Sequence, residues 1–301
     1  MFDVNRDEKM SIEPRLASVR CLSPAGFHSM AYTEWGDPSN PDVVICVHGL
    51  TRVGRDFDFL ARKLAPRWRV VCPDIVGRGR SEALRDPHHY HVAQYVADIV
   101  TLVARLGVER VSWVGTSMGG LIGMTLGGQP GNPVRRFVLN DVGPRLDAAA
   151  LKRIGEYLGK PLRFADVEQA IDYISLISAP FGLRTREQWR SITETVIRPD
   201  GDGWKLHYDP GIAVPFQGFS AEAAAAGEAA LWALYDRIRV PTLLVRGRES
   251  DLLSRETALE MTQRGPRARL VEFAGIGHAP MLMDDEQAQV VVDFLEEDRA
   301  G

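Results

Sequence analysis

Short valine-rich runs alternate with longer helical patterns along most of this 301-residue chain. The runs are apolar at almost every position, which is typical of strands buried on both faces of a parallel sheet. Strand followed by helix, repeated several times, predicts an α/β fold with helices on both sides of the sheet. The predicted strands are residues 43–47, 68–72, 111–114, 136–140, 242–245 and 269–273.

Two segments depart from this alternation. Residues 18–35 alternate between apolar and polar positions around Gly26, which predicts an antiparallel hairpin at the sheet edge. Residues 146–230 show no central-strand pattern, but they contain amphipathic helical stretches and an aromatic loop at 204–219. They end in an alanine run at 221–230, which Trp232 and Tyr235 continue at helical spacing. We therefore predict a core of residues 14–145 and 231–299, an inserted helical cap of residues 146–230 and an N-terminal tail of residues 1–13.

Composition argues against several classes of function. The net charge is −4, and acidic and basic residues are intermixed, so no basic surface predicts nucleic acid binding. Residues 1–15 lack the apolar core of a signal peptide, and no run of about 18 apolar residues predicts a membrane span. We expect a cytoplasmic protein that acts on a small molecule, either as a monomer or as a dimer. Its three cysteines, Cys21, Cys46 and Cys72, favour buried thiols over disulfides or metal ligation.

The sequence Gly115-Thr116-Ser117-Met118-Gly119 lies where a predicted strand ends and a helical stretch of small residues begins. So sharp a turn puts its central residue into a strained, exposed conformation, and the flanking glycines are needed because a Cβ would clash there. Gly-x-Ser-x-Gly in this context is typical of a nucleophile elbow. Ser117 is therefore the predicted nucleophile.

A serine nucleophile needs a base and a carboxylate that orients the base. His278 follows the last predicted strand in a glycine-containing loop, and we predict it as the base. Asp251 follows the strand at 242–245, at the carboxyl edge of the sheet where active groups of open α/β folds gather, and we predict it as the acid. Asp251 also fits a helix N-cap. Asp141 and Glu249 are competing candidates for the acid.

Backbone N–H groups are predicted to bind the oxyanion, because they are fixed in place before charge develops. The amide of Met118 follows the nucleophile at a helix N-terminus, where the helix dipole favours negative charge. His48, Gly49 and Leu50 end a buried strand, and Gly49 allows a turn that aims the amide of Leu50 at the same point. We interpret His48 as a residue that fixes this loop.

These motifs and their order resemble the α/β-hydrolase family, in its lidded group of serine esterases, enol-lactonases and C–C bond hydrolases. The resemblance runs from Pro14 to Leu295 and depends on His48-Gly49, residues 74–81, the elbow, Asp251 and Gly277-His278. It implies a mostly parallel sheet of about eight strands with an inserted cap, a Ser-His-Asp triad in the family's order, no cofactor and no metal. Haloalkane dehalogenases and epoxide hydrolases of this fold carry an aspartate in place of the serine, so neither activity is expected.

The resemblance implies hydrolysis of carboxylic esters of small to medium, largely apolar substrates through an acyl-enzyme. Enol-lactone opening and C–C bond hydrolysis are alternatives with the same triad, and a non-catalytic receptor on the same fold is a third. Substrate choice is expected to depend on the cap, with Arg52 available for a substrate carboxylate. The residues predicted to line the substrate pocket are Arg52, Trp204, Tyr208, Phe216 and Phe219.

Overall fold

The computed structural model describes residues 13–216 and 221–297. The strands are β1 (Arg15–Ser23), β2 (Gly26–Trp35), β3 (Val43–Val47), β4 (Arg69–Pro73), β5 (Val111–Thr116), β6 (Val134–Asn140), β7 (Arg163–Phe164), β8 (Ile197–Asp200), β9 (Gly203–Leu206), β10 (Thr242–Gly247) and β11 (Arg269–Phe273). The helices are α1 (Asp58–Leu64), α2 (Val92–Leu106), α3 (Met118–Gly127), α4 (Ala148–Tyr157), α5 (Val167–Ile177), α6 (Arg186–Glu194), α7 (Ala221–Tyr235), α8 (Arg255–Met261) and α9 (Asp285–Glu296). Within these residues, no helix combines the length and the apolar character that crossing a membrane requires.

An eight-stranded sheet in the order β1-β2-β4-β3-β5-β6-β10-β11 forms the centre of the fold. β1 and β2 form the predicted edge hairpin, β2 is also antiparallel to β4, and the remaining neighbours are parallel. The prediction of a mostly parallel α/β sheet of about eight strands is confirmed. Because the parallel strands all end at one edge, the loops after β3, β5, β6, β10 and β11 meet there.

The apolar runs form central strands, and hydrophobic clusters cover both faces of these strands. In β3, Val43, Ile45 and Val47 pack into a hydrophobic cluster on one face of the sheet, while Val44 and Cys46 pack into a second cluster on the other. Side chains alternate between the two faces of a strand, so a strand between two helical layers has to be apolar at every position.

The segment predicted as a helical insertion contains α4, α5 and α6, and it also contains a small antiparallel sheet in the order β7-β9-β8. This sheet differs from the prediction, since the expected aromatic loop at 204–219 begins inside β9. Phe164, Ala170 and Ile197 form the buried centre of a hydrophobic cluster beneath it. The alanine run is helical as predicted, but α7 continues across the predicted boundary between residues 230 and 231.

The end of the insertion is attached to the core by main-chain hydrogen bonds. The Gly79 N–H donates to the His207 carbonyl at 2.9 Å, and the Asp209 N–H donates to the Gly77 carbonyl at 2.7 Å. A β-bridge joins Arg78 to Tyr208 between them. Gly77 and Gly79 have φ values of +81° and +53°, a conformation that favours glycine. The turn at residues 77–79 is thus one of the places where the insertion is attached to the core.

Candidate active site

Ser117 lies at the turn between β5 and α3, with φ 52° and ψ −116°. This conformation is strained for a residue with a Cβ, and such strain persists only where the surroundings impose it. A Cβ at Gly119 would collide with the Val47 carbonyl, and one at Gly115 would lie 2.6 Å from Trp113 Nε1. The glycines therefore let α3 approach β3 closely, and this packing holds Ser117 at the carboxyl edge of the sheet.

His278, in the loop after β11, hydrogen-bonds to two side chains. Its Nε2 lies 2.9 Å from Ser117 Oγ, and its Nδ1 lies 2.7 Å from Asp141 Oδ2. Because a carboxylate oxygen only accepts, Nδ1 carries the hydrogen in this pair, and Nε2 is left free to accept from the Ser117 hydroxyl. The histidine is thus oriented and protonated as a general base requires.

The carboxylate that contacts His278 is Asp141, which directly follows β6 and is fully buried. Its Oδ1 accepts a hydrogen bond from the Gly247 N–H at 2.9 Å. Its Oδ2 accepts from the Ser250 hydroxyl at 2.6 Å as well as from His278. Three groups, the Gly247 N–H, the Ser250 hydroxyl and the His278 ring, therefore fix the position of this carboxylate.

The prediction that Asp251 orients His278 is wrong. Asp251 is exposed, and its Oδ2 accepts a hydrogen bond from Arg153 Nη2 on α4 at 2.6 Å. The loop after β10 turns Ser250 inward to Asp141 and leaves Asp251 on the surface. The alternative N-cap role for Asp251 does not hold either, because the N-cap of α8 is Ser254.

The loop after β3 lies against the nucleophile. A Cβ built on Gly49 would be 3.7 Å from the Ser117 Cβ, and Leu50 lines the same cleft as Ser117. The Met118 N–H is the first of α3 and has no acceptor within the helix. The structure thus brings both residues with predicted oxyanion amides next to Ser117.

Arg78, which was not predicted as a site residue, links Leu50 and Met118. Its Nε donates to the Leu50 carbonyl at 2.9 Å, and its Nη2 contacts Met118 Sδ at 3.6 Å. Its Nη1 donates to Tyr95 Oη at 3.0 Å, and the guanidinium lies over the rings of Tyr90 and Tyr95. Arg78 is 1% exposed, and in the described part of the chain it forms no ion pair with a carboxylate. A buried positive charge without a protein anion therefore lies between Leu50 and Met118.

His48 fixes the loop after β3, as predicted. Its Nε2 accepts from the Ile75 N–H at 2.9 Å, so Nδ1 carries the hydrogen and donates to the Gly49 carbonyl at 2.7 Å. Burial, together with the charges of Arg78 and Arg52, lowers the pKa of His48 to about 3, although the hydrogen bond to the Gly49 carbonyl acts in the opposite direction. His48 therefore stays neutral in the folded protein.

We expect this neutral histidine to make folding pH-dependent. The folded pKa lies below the unfolded value of about 6.5, so the stabilisation is complete above pH 6.5 and is lost as the pH falls towards 3. The free energy of unfolding should decrease between pH 7 and pH 5 by about 2 kcal/mol more in the wild type than in His48→Gln. Urea unfolding at the two pH values measures this difference, and equal decreases in both proteins would contradict it.

Ser117 and His278 lie at the base of a cleft that opens to solvent. The insertion forms the opposite wall with Arg153, Tyr157, Tyr173 and Tyr208, and with apolar side chains at Ile154, Ile174, Ile177, Val196 and Leu206. The cleft is thus mainly apolar, with a few hydroxyl groups.

The predicted pocket residues have different positions. Tyr208 and Arg52 line the cleft, whereas Trp204 packs beneath the small sheet and Phe216 packs against the central core. Phe219 lies outside the described residues. The prediction that Trp204 and Phe216 line the pocket is therefore wrong, because their rings cover hydrophobic clusters of the protein itself.

In the described ranges, one group of side chains has metal-ligand character: Cys21, His28 and Asp98, at the edge formed by the β1–β2 hairpin and α2. His28 Nε2 lies 3.0 Å from Asp98 Oδ2, and Gln94 Nε2 donates to Asp98 Oδ1 at 2.8 Å. Burial and the neighbouring Asp98 raise the pKa of the Cys21 thiol to about 12. The group is a neutral thiol beside a hydrogen-bonded pair, remote from β5 in the strand order.

Comparison with known proteins adds four findings. A family model described as the alpha/beta hydrolase fold matches residues 42–285. A 3-hydroxybutyrate-oligomer hydrolase from Cupriavidus necator is 55% identical over 290 residues, which cover 95% of this chain and 99% of that protein. A 2-hydroxymuconate semialdehyde hydrolase from a Pseudomonas species is 28% identical over 236 residues, covering 78% of this chain and 79% of that protein. The crystal structure of an alpha/beta hydrolase from Novosphingobium aromaticivorans has a TM-score of 0.83 at 34% identity and covers 95% of this chain and 99% of its own.

Proposed function

Because this chain belongs to the α/β-hydrolase family, we propose that it is a serine ester hydrolase that cleaves short oligomers of 3-hydroxybutyrate. The observation that carries the ester chemistry is the hydrogen-bonded series from Ser117 through His278 to Asp141, with distances of 2.9 and 2.7 Å. The observation that favours this substrate is the similarity, over nearly the full length of both chains, to the Cupriavidus oligomer hydrolase.

The reaction proceeds in two steps. His278 Nε2 takes the proton of the Ser117 hydroxyl while Oγ forms a bond to the ester carbonyl carbon. The ester C–O bond then breaks, and His278 passes the proton to the departing alcohol oxygen. In the second step, water gives a proton to His278 and adds to the acyl carbon. The bond between the acyl carbon and Ser117 Oγ then breaks, His278 returns the proton to Oγ, and the acid is released. Asp141 keeps the imidazole in the required tautomer and stabilises its charged form.

The oxyanion in both steps accepts hydrogen bonds from the N–H groups of Leu50 and Met118 in this proposal. Arg78 supports them, because it binds the Leu50 carbonyl and contacts the Met118 side chain. Its buried charge also favours negative charge nearby, and the low polarity of the surroundings strengthens that effect.

The cleft suits a chain of 3-hydroxybutyrate units. Each unit contributes one methyl branch, and one ester joins each pair of neighbouring units. The apolar side chains and tyrosine hydroxyls of the lining match these groups. Residues 146–230 serve as the lid over the site in this proposal, since they supply the wall opposite Ser117.

The test is product release from the 3-hydroxybutyrate dimer and trimer, with the Ser117→Ala protein as the blank. We expect both oligomers to yield 3-hydroxybutyrate, quantified by chromatography with mass detection. p-Nitrophenyl butyrate serves as a general ester, and unfolding curves show that each protein is folded.

Two outcomes would overturn the proposal. A folded wild type that hydrolyses p-nitrophenyl butyrate but neither oligomer is an esterase with another substrate. A protein that cleaves no ester but consumes 2-hydroxymuconate semialdehyde is a C–C bond hydrolase, the chemistry named for the Pseudomonas relative.

A further inference from the structure

The cationic side chains of the cleft differ in their availability to a substrate. The cleft is lined by two arginines among the described residues, Arg52 and Arg153. Arg52 donates to both oxygens of Asp56 at 2.7 and 2.6 Å and to the Ile192 carbonyl at 2.9 Å. Both side chains of that pair are 9% exposed, so they form an internal ion pair. The expectation that Arg52 binds a substrate carboxylate therefore does not hold, because Asp56 already occupies the Arg52 guanidinium.

Arg153 is in the opposite situation. It lies on α4, where Ile154 and Tyr157 line the cleft with it. Its side chain is 40% exposed, and it donates through Nη2 to one oxygen of Asp251, which is itself 46% exposed. Exposed ion pairs of this kind contribute little to stability, so a competing carboxylate can replace Asp251 at small cost. The guanidinium also has further N–H donors in a planar fork that matches a carboxylate.

We propose that Arg153 binds the terminal carboxylate of the substrate and that Asp251 occupies the guanidinium when the site is empty. This inference rests on the proposed function. Every 3-hydroxybutyrate oligomer carries one carboxylate, and it lies on the alcohol side of each ester. Arg153 therefore holds the side of the substrate that leaves first, and it selects oligomers with a free acid end over neutral esters.

The test compares the 3-hydroxybutyrate dimer with its terminal primary amide, which has the same shape and the same single ester but no charge. The quantity measured is the ratio of kcat/KM for the acid to kcat/KM for the amide. In Arg153→Met we expect this ratio to fall about tenfold, mainly through a higher KM for the acid. Arg153→Lys should lie in between, because it keeps the charge without the planar fork.

Two controls separate recognition from general electrostatics. Arg186 is an exposed arginine that pairs with Glu168 and Asp172 and does not line the cleft. Arg186→Met removes the same charge, and its acid-to-amide ratio of kcat/KM should equal that of the wild type. Asp251→Asn removes the carboxylate that competes with the substrate for Arg153, so the acid-to-amide ratio of kcat/KM should rise about two- to fivefold. In the wild type, 0.5 M NaCl should lower the ratio, because salt screens an exposed pair.

The outcomes also separate the two proposals. If neither dimer nor amide is cleaved by the wild type, the proposed function fails. If both are cleaved and the ratio in Arg153→Met equals the wild-type ratio, or the ratio in Asp251→Asn falls, the function stands and the carboxylate site is overturned.

Discussion

Asp141→Asn is expected to lower kcat by about 10⁴, whereas Asp251→Asn should leave kcat on p-nitrophenyl butyrate within about threefold. Asp141 Oδ1 accepts from the Gly247 N–H and Oδ2 accepts from His278. An asparagine that keeps its oxygen on Gly247 turns its NH₂ group to His278, so Nδ1 becomes an acceptor and the hydrogen moves to Nε2. His278 Nε2 then carries a hydrogen towards Ser117 Oγ and is unable to accept the hydroxyl proton.

The backbone is not expected to cause this loss. Asp141 has φ +55°, and asparagine adopts that conformation more readily than other residues with a Cβ. Urea unfolding of both variants checks that the fold is kept. A large loss in Asp251→Asn together with a small one in Asp141→Asn would restore Asp251 as the acid and contradict the geometry of the site.

Arg78→Met is expected to lower kcat by about 100-fold while the KM for p-nitrophenyl butyrate changes less than about threefold. The substitution removes the donor that holds the Leu50 carbonyl and the buried charge beside Met118. Both effects act on charge that exists only during the reaction, so the binding of the neutral ester should be little affected. Arg78→Lys should recover part of kcat because it restores the charge.

Tyr95→Phe is the matched control for Arg78. It keeps the ring beneath the guanidinium and removes only the hydroxyl that accepts from Nη1. We expect it to lower kcat less than about fivefold. If Arg78→Met is folded and has the wild-type kcat, or if KM alone rises, Arg78 does not support the oxyanion.

The central strands and the elbow were predictable because local sequence determines them. β3 is apolar at all five positions, and only a strand between two covered faces needs that pattern. The glycines around Ser117 were informative for a similar reason, since a Cβ at Gly119 would meet the main chain of β3.

The choice between Asp141 and Asp251 was not predictable in the same way. Both residues follow neighbouring parallel strands, β6 and β10, and so both loops reach the same edge of the sheet. Which carboxylate faces His278 depends on the direction in which each loop turns its side chains, and this is set by tertiary contacts. One local signal favoured Asp141, because it follows its strand without an intervening residue, while Asp251 is separated from β10 by three residues.

Aromatic residues of the insertion posed the same difficulty. A tryptophan at position 204 or a phenylalanine at position 216 fits a substrate pocket or an interior cluster equally well by composition. The small sheet did have a signal, since the residues of the two-residue turn between β8 and β9 are Gly201 and Asp202, a glycine and a small polar residue. The strands are so short, however, that pairing with distant Phe164 decides whether they form.

The attachment of the insertion at residues 207–209 restricts where the cleft can widen. On that side, two main-chain hydrogen bonds and the bridge between Arg78 and Tyr208 would have to break before the cleft widens. On the α4 side, the exposed pair between Arg153 and Asp251 separates far more easily. We therefore expect the cleft to widen beside α4 more readily than beside residues 207–209, and we expect the rate of this opening to increase with ionic strength, because salt screens an exposed ion pair.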